Sequence, residues 1–174
     1  MIKIFPVPYF MHSVRFLTAL LFATICGACT LPVIPDDAQS TILALRHADR
    51  SGDELSSKGQ VRAKNLPAAV AAYDLDAIYS PDIARNIATA EPLSQATGLP
   101  ITLIPKEYAG ARMTQGHPDG TVLWVGNKDN LRALWSELGA QDPAPQNYGE
   151  LFVVKMQGKS AASVTRLHVP AGPP

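Results

Sequence analysis

The chain has 174 residues, 47% of them hydrophobic, with fifteen basic and fifteen acidic side chains and no net charge. That length supports one domain with an ordinary core, and the balanced charge leaves no footprint for nucleic acid or an acidic membrane surface. There is no internal repeat and no low-complexity tract.

The first segment reads as an export signal. Lys3 and Arg15 precede the apolar run "FLTALLFATI", and small residues follow in "CGACT", the positive, apolar, small order of a secretory signal peptide. Met11 is an alternative start, because the stretch from there has the right proportions by itself. An uncleaved membrane helix fits less well, since Gly27 and Pro32 interrupt the run as it nears spanning length. Both cysteines, Cys26 and Cys29, lie here, so the domain behind has no pair for a disulfide. Ala28-Cys29 resembles the junction of a bacterial lipoprotein, with Cys29 lipidated as the new first residue. Cys26 departs from the branched aliphatic residue usual three places before that cysteine, and ordinary cleavage after Ala28 also fits. Either route exports the protein to the periplasm or cell envelope, the first with a lipid anchor to a membrane. Without residues 1–28 the chain keeps thirteen basic against fifteen acidic residues, a net charge of −2.

The expected organisation is a signal over 1–28, a linker over 29–40, one domain over 41–169 and a tail over 170–174. Within the domain, "TILALR" is a short apolar run of the kind buried in a parallel sheet. "KGQVRAKNLPAAVAAY" has helical spacing, with a kink or break expected at Pro67. "DAIYS" reads as a second strand. Pro81 stands where a first-turn proline suits the helix "DIARNIATAEPLSQATG", whose end is marked by Gly98 and Pro100. "ITLI" and "TVLWVG" are further strands, and "PKEYAGARMTQGHPDG" between them reads as a loop. "NLRALWSELG" is an amphipathic helix closed by Gly139. "LFVVKM" and "SVTRLHV" are a closing strand pair turning at "QGKS". Alternating strands and helices predict a three-layer α/β/α sandwich with a mainly parallel central sheet. Ligands of such sheets bind beyond the carboxyl ends of the strands, where Arg46-His47, Ser80 and Gly126-Asn127 fall.

Arg46, His47 and Arg50 follow the first strand, and Arg85 stands early in the helix after the second. Guanidinium forks and helix N-termini favour anions, and forks grip phosphate oxygens in pairs. An imidazole among them can attack phosphorus and carry a phosphoryl group, while the arginines spread the charge of the transferring group.

These residues resemble the histidine phosphatase superfamily, the phosphoglycerate-mutase-like group. "LRHADR" resembles its nucleophile motif, "LSSKGQVRA" the segment that follows, "IYSPDIARNIATAEPLSQATGLPI" its second arginine motif, and "TVLWVGNKDNLRALWSELG" the region of its second catalytic histidine. Four segments in family order cover about Thr41 to His168. The resemblance implies a phosphoglycerate-mutase-like fold, no cofactor and no metal, and a phosphorylated small molecule or phosphate as ligand. It implies that His47 is phosphorylated and that Arg46 and Arg85 hold the phosphate, with Ser80, Arg50 and residue 127 as further substrate contacts. Arg50 stands at a position that varies in the family, and it and Arg62 read more simply as surface charges.

The chain departs from the family at Val125-Gly126-Asn127, where Val-Gly-His is usual. Asparagine can donate a hydrogen bond but carries no charge. His117 cannot replace the missing histidine, because six strand residues at about 3.3 Å each put it at the opposite edge of the sheet. His168 reads as an ordinary polar position. In the short 105–120 segment, where relatives carry an acid, Glu107 is the candidate general acid, ahead of Asp119. Two functions stay open: an exported phosphomonoesterase slowed by Asn127, or a degenerate relative that binds a phosphorylated ligand or partner without turnover.

Overall fold

The computed structural model describes residues 30–172. The signal-like segment and Cys29 lie outside the described residues. Twelve elements follow in chain order: β1 (Thr41–Arg46), β2 (Arg50–Ser51), β3 (Glu54–Leu55), α1 (Ser57–Val70), β4 (Ala77–Ser80), α2 (Ala84–Thr97), β5 (Ile101–Leu103), α3 (Ala109–Gly116), β6 (Thr121–Gly126), α4 (Lys128–Glu137), β7 (Glu150–Gln157) and β8 (Ser160–His168).

Six strands form the main sheet in the order β5-β4-β6-β1-β7-β8. β5, β4, β6 and β1 run parallel, while β7 lies antiparallel to β1 and β8 to β7. Side-chain alternation along β1 and β6 sorts the core into two layers. Leu43, Leu45, Leu123 and Val125 pack with Leu66 and Val70 of α1 and with Ala90 and Leu93 of α2. Ile42, Ala44, Val122 and Trp124 pack on the other face, with Met113 of α3 and Leu131, Leu134 and Trp135 of α4. The sheet is thus covered by helices on both faces, the expected α/β/α sandwich. Its central strands are buried on both sides, which is why "TILALR" and "TVLWVG" are nearly continuous apolar runs.

Four local expectations need correction. α1 runs through Pro67 to Val70; the proline sits in the last turn, where its missing N–H removes a single internal bond. Pro81 is not in the first turn of α2. Ile83 is extended at φ −138° and serves as the cap, so the helix starts at Ala84. The segment read as a loop at 105–120 contains α3. Its first amides at Gly110 and Ala111 donate to the Glu137 carboxylate at 2.9 and 2.8 Å, a cap supplied from α4 that no local pattern reveals. Finally, residues 31–40 are not a free linker. Ile34, Ala38 and Ser40 are buried, and backbone bonds join Gly158 N–H to Ala38 O and Met156 N–H to Ser40 O. The tail docks too, through Asn65 Nδ2 donating to the carbonyls of Pro170 and Gly172.

Candidate active site

Arg46 is the last residue of β1, and His47 extends the ladder by donating its N–H to Gly126 O at 2.9 Å. Alternation sends the two side chains to opposite faces, so one motif supplies groups on both sides of the strand end. The backbone then turns at Ala48 and Asp49 and docks on the start of α1. Ser56 caps that helix through the Gly59 amide at 3.2 Å and also donates its N–H to Asp49 O at 3.0 Å. Gly59 is needed for this approach, because a Cβ there would stand 1.9 Å from Asp49 O. The glycine of "LSSKG" therefore serves to let the loop after His47 sit against α1.

Arg62 corrects the sequence reading. It is a buried residue, not a surface charge, with its Nε 2.7 Å from Asp49 Oδ2 and an Nη1 hydrogen bond to Val169 O. Burial alone would push the Asp49 carboxyl up, but the Arg62 hydrogen bond and charge, with Lys58, hold it below the usual carboxylate range. Arg62 thus anchors the loop behind the site.

α2 brings Arg85 in. Thr89 Oγ1 accepts from Ala48 N–H at 3.0 Å and donates to Arg85 O at 2.7 Å. Asn86 Nδ2 donates to Val125 O at 3.2 Å. These two bridges fix the first turns of α2 against both strand ends, and they explain a threonine four residues after the arginine. Arg85 Nε donates to His47 Nε2 at 3.3 Å. On the other side of the ring, Nδ1 lies 2.9 Å from Ala48 O, which assigns the proton to Nδ1 and the lone pair to Nε2. Burial pulls the imidazole down to about 4, against the Ala48 hydrogen bond and with further help from Arg85, Arg46 and Arg50. At neutral pH His47 is an uncharged base with its free lone pair turned toward a guanidinium.

Tyr148 is a site neighbour that sequence reading missed. Its ring lies 5.7 Å from the His47 ring and under the Arg46 guanidinium, 3.9 Å from centroid to Cζ. Arg46 Nη1 donates to Gln146 O at 2.7 Å, while its buried Nε has no partner among the described residues. The 146–148 segment precedes β7, far from the arginine motifs in sequence. The available signal was the exposed-type turn "QNYG" entering a strand paired with β1.

The remaining candidates are scattered. Ser80 is fully buried and donates its hydroxyl to Pro81 O at 2.8 Å, so its proton is committed to the backbone. Arg50 is exposed and bonds Gly52 O at 2.6 Å within the β2–β3 hairpin, acting on His47 by its charge alone. Glu107 is 60% exposed and reaches Lys106 at 3.9 Å; the carboxylate beside the cluster is Asp53, 3.7 Å from Arg85 Nη1. Asp119 is exposed in the turn before β6, at the other end of the sheet from His47. His117 lies at that same end, its carbonyl taking the Ser40 hydroxyl at 2.6 Å. His168 is exposed at the end of β8.

Asn127 follows the residue whose carbonyl binds the His47 amide. Its Oδ1 accepts from Asp129 and Asn130 N–H, both at 3.0 Å, and so caps α4. Only its amide NH₂ is left for a ligand. Among the described residues no cluster of His, Cys, Asp and Glu could hold a metal ion.

The family model described as the histidine phosphatase superfamily (branch 1) matches residues 43–106. No curated protein matches the chain. Among solved structures, YhfR of Bacillus stearothermophilus superposes with a TM-score of 0.59 at 17% identity, covering 70% of this chain and 94% of its own. A mycobacterial glucosyl-3-phosphoglycerate phosphatase with inorganic phosphate gives 0.59 at 16%, covering 77% and 99%. The protein histidine phosphatase SixA complexed with tungstate gives 0.57 at 16%, covering 75% and 97%. From β1 to just beyond β5 the chain carries the sequence signature of the histidine phosphatase superfamily, on the fold of its phosphoglycerate-mutase-like members.

Proposed function

We propose that the protein is a phosphomonoesterase of the histidine phosphatase type. One observation carries this reading: a neutral imidazole holds its Nδ1–H on Ala48 O while its Nε2 lone pair faces the Arg85 guanidinium at 3.3 Å. A phosphoryl oxygen takes the Arg85 Nε–H in place of Nε2, which frees the lone pair for phosphorus. A bond forms from Nε2 to phosphorus as the ester P–O bond breaks, and the leaving oxygen takes its proton from solvent water, which the proton released in the second step restores. Water then attacks the phosphohistidine, breaking the N–P bond and releasing orthophosphate. Arg46 and Arg85 balance the charge of the transferring group in both steps. The phosphate-bound and tungstate-bound relatives support an oxyanion ligand at this site.

Asn127 favours a second reading, binding without turnover, because its side-chain oxygen is spent on the helix cap and its amide brings no charge. An assay of the purified domain against aryl phosphates separates the two. Turnover lost in His47→Ala, with an acid-labile phosphoryl group trapped on the wild type, establishes the phosphatase. Phosphate binding without either establishes the second reading.

We further propose export, resting on the pattern at residues 1–28, with Cys29 as the lipid-bearing residue. Among the described residues no helix is long and apolar enough to cross a membrane. Cell fractionation checks this: Cys29→Ser should move the protein from the membrane to the soluble periplasm. A cytoplasmic product with residues 1–28 intact ends the proposal.

A further inference from the structure

Beside the His47 cluster a groove of about 480 Å³ runs between α1, α2 and the β2–β3 hairpin, and Arg85 forms one wall of it. The same guanidinium therefore faces His47 with its Nε and Asp53 with its Nη1. The groove is of a size that suits a small ligand. Its body is apolar, made by Leu55, Ala63, Ala88 and Pro92. Its charged lining is unbalanced: Asp53, Glu54 and Glu91 bring three carboxylates against Lys64, once Arg85 is engaged by phosphate.

Resting on the phosphatase reading, we infer that this groove receives the alcohol portion of the phosphomonoester and selects one bearing an ammonium group on an apolar body. The phosphate dianion sits on Arg46 and Arg85. Beyond it the alcohol lies along Ala63 and Ala88, losing apolar surface to the groove. An ammonium at its far end meets the carboxylates of Glu91 and Glu54. A carboxylate at that end meets like charge instead, and near a protein surface each such contact is worth about fivefold or more in affinity.

The test uses the whole exported domain and two inert phosphonates, 4-(aminomethyl)benzylphosphonate and 4-(carboxymethyl)benzylphosphonate. Binding is followed by methyl NMR of alanine-labelled protein, beside turnover of the matching aryl phosphates. The amine should bind at least about tenfold tighter than the carboxylate and shift the Ala63 and Ala88 methyls. Glu91→Lys, which leaves two carboxylates against two lysines, should remove the preference, and Lys64→Glu should widen it; both positions are exposed. Equal affinities, or binding that leaves Ala63 and Ala88 unmoved, overturn the inference even if phenyl phosphate is hydrolysed. Amine-selective binding in the groove with no turnover of any ester supports the groove and removes the phosphatase reading alone.

Discussion

Arg85 donates its Nε–H to the Nε2 of His47 across 3.3 Å, so the atom that would attack phosphorus is held as an acceptor. A protonated imidazole could not accept there, and the arrangement requires a neutral ring. The buried setting supplies it, with His47 drawn down to about 4. Two measurable consequences follow from that one contact.

The first is in activity. The acid limb of kcat/KM should fall near pH 4, after allowance for the second ionisation of the substrate phosphate near about 6. A limb at the ordinary histidine value would mean that the ring is solvated in the working enzyme. The second is in stability. A histidine lowered on folding costs nothing above pH 6.5; between 6.5 and about 4 the unfolded chain takes a proton that the native one refuses, and stability drops. At pH 5 the loss is on the order of 2 kcal/mol. Urea unfolding at pH 7.5 and pH 5 should show it in the wild type and not in His47→Gln.

Asp49 and Arg62 act behind the site rather than in it. Removing one partner of a largely buried pair leaves an uncompensated charge, so Arg62→Ala should cost about 3 kcal/mol. Asp49 is lowered on folding, so its contribution is present above the ordinary carboxylate range and is lost as pH falls through its lowered native value. Thermal melts at pH 7 and pH 3 should therefore differ less in Arg62→Ala than in the wild type. Orthophosphate should still raise the midpoint of the variant at pH 7; loss of that protection would place Arg62 among the ligands.

Tyr148 stacks on Arg46 and covers His47. Tyr148→Phe keeps the ring, whereas Tyr148→Ala removes a cation–π contact worth about 1 kcal/mol. We expect KM to rise about fivefold in the alanine variant and little in the phenylalanine one. The His47 resonance should also titrate closer to 6.5 once the ring is exposed. An unchanged titration in Tyr148→Ala would show that Tyr148 does not shield the imidazole.

The parts of this molecule that were legible beforehand are those whose reasons are local. Continuous apolar runs betrayed β1 and β6, and Gly98 at φ 75° closed α2 as its type predicts. Arg46, His47 and Arg85 share a motif context because each leaves a strand end or enters the next helix. What stayed hidden depends on distant partners. α3 begins where Glu137 caps it, Arg62 is buried because Asp49 and Val169 meet it, and Tyr148 reaches the site only through the β7–β1 pairing. The partner of the Ser80 hydroxyl is equally hidden in the sequence: its proton goes to Pro81 O. Residues 38–40 precede the apolar run of β1 and carry no strand pattern, yet their backbone continues β1 between Pro118 O and the amides of Met156 and Gly158.

Asn127 caps α4, and substitution should separate that role from the phosphate contact proposed for its amide. Its Oδ1 caps α4 through two amides, so Asn127→Ala should cost about 1 kcal/mol, a fall of roughly 4 °C in the melting midpoint. Asn127→Asp should restore the cap while placing a negative charge beside the phosphate, giving a stable protein with weakened phosphate binding. Asn127→His gives up the cap but adds a donor that can be cationic where charge develops in the transition state. Such donors act on the rate more than on ground-state binding, and removing one typically costs about 10²–10³ in turnover. Asn127→His should thus be less stable by about 1 kcal/mol and faster by at least about tenfold on an aryl phosphate, with KM little changed. The gain should vanish when His47→Ala is added. If Asn127→His binds orthophosphate and its turnover stays at the wild-type level, the missing charge is not what limits this site, and binding without turnover becomes the better account.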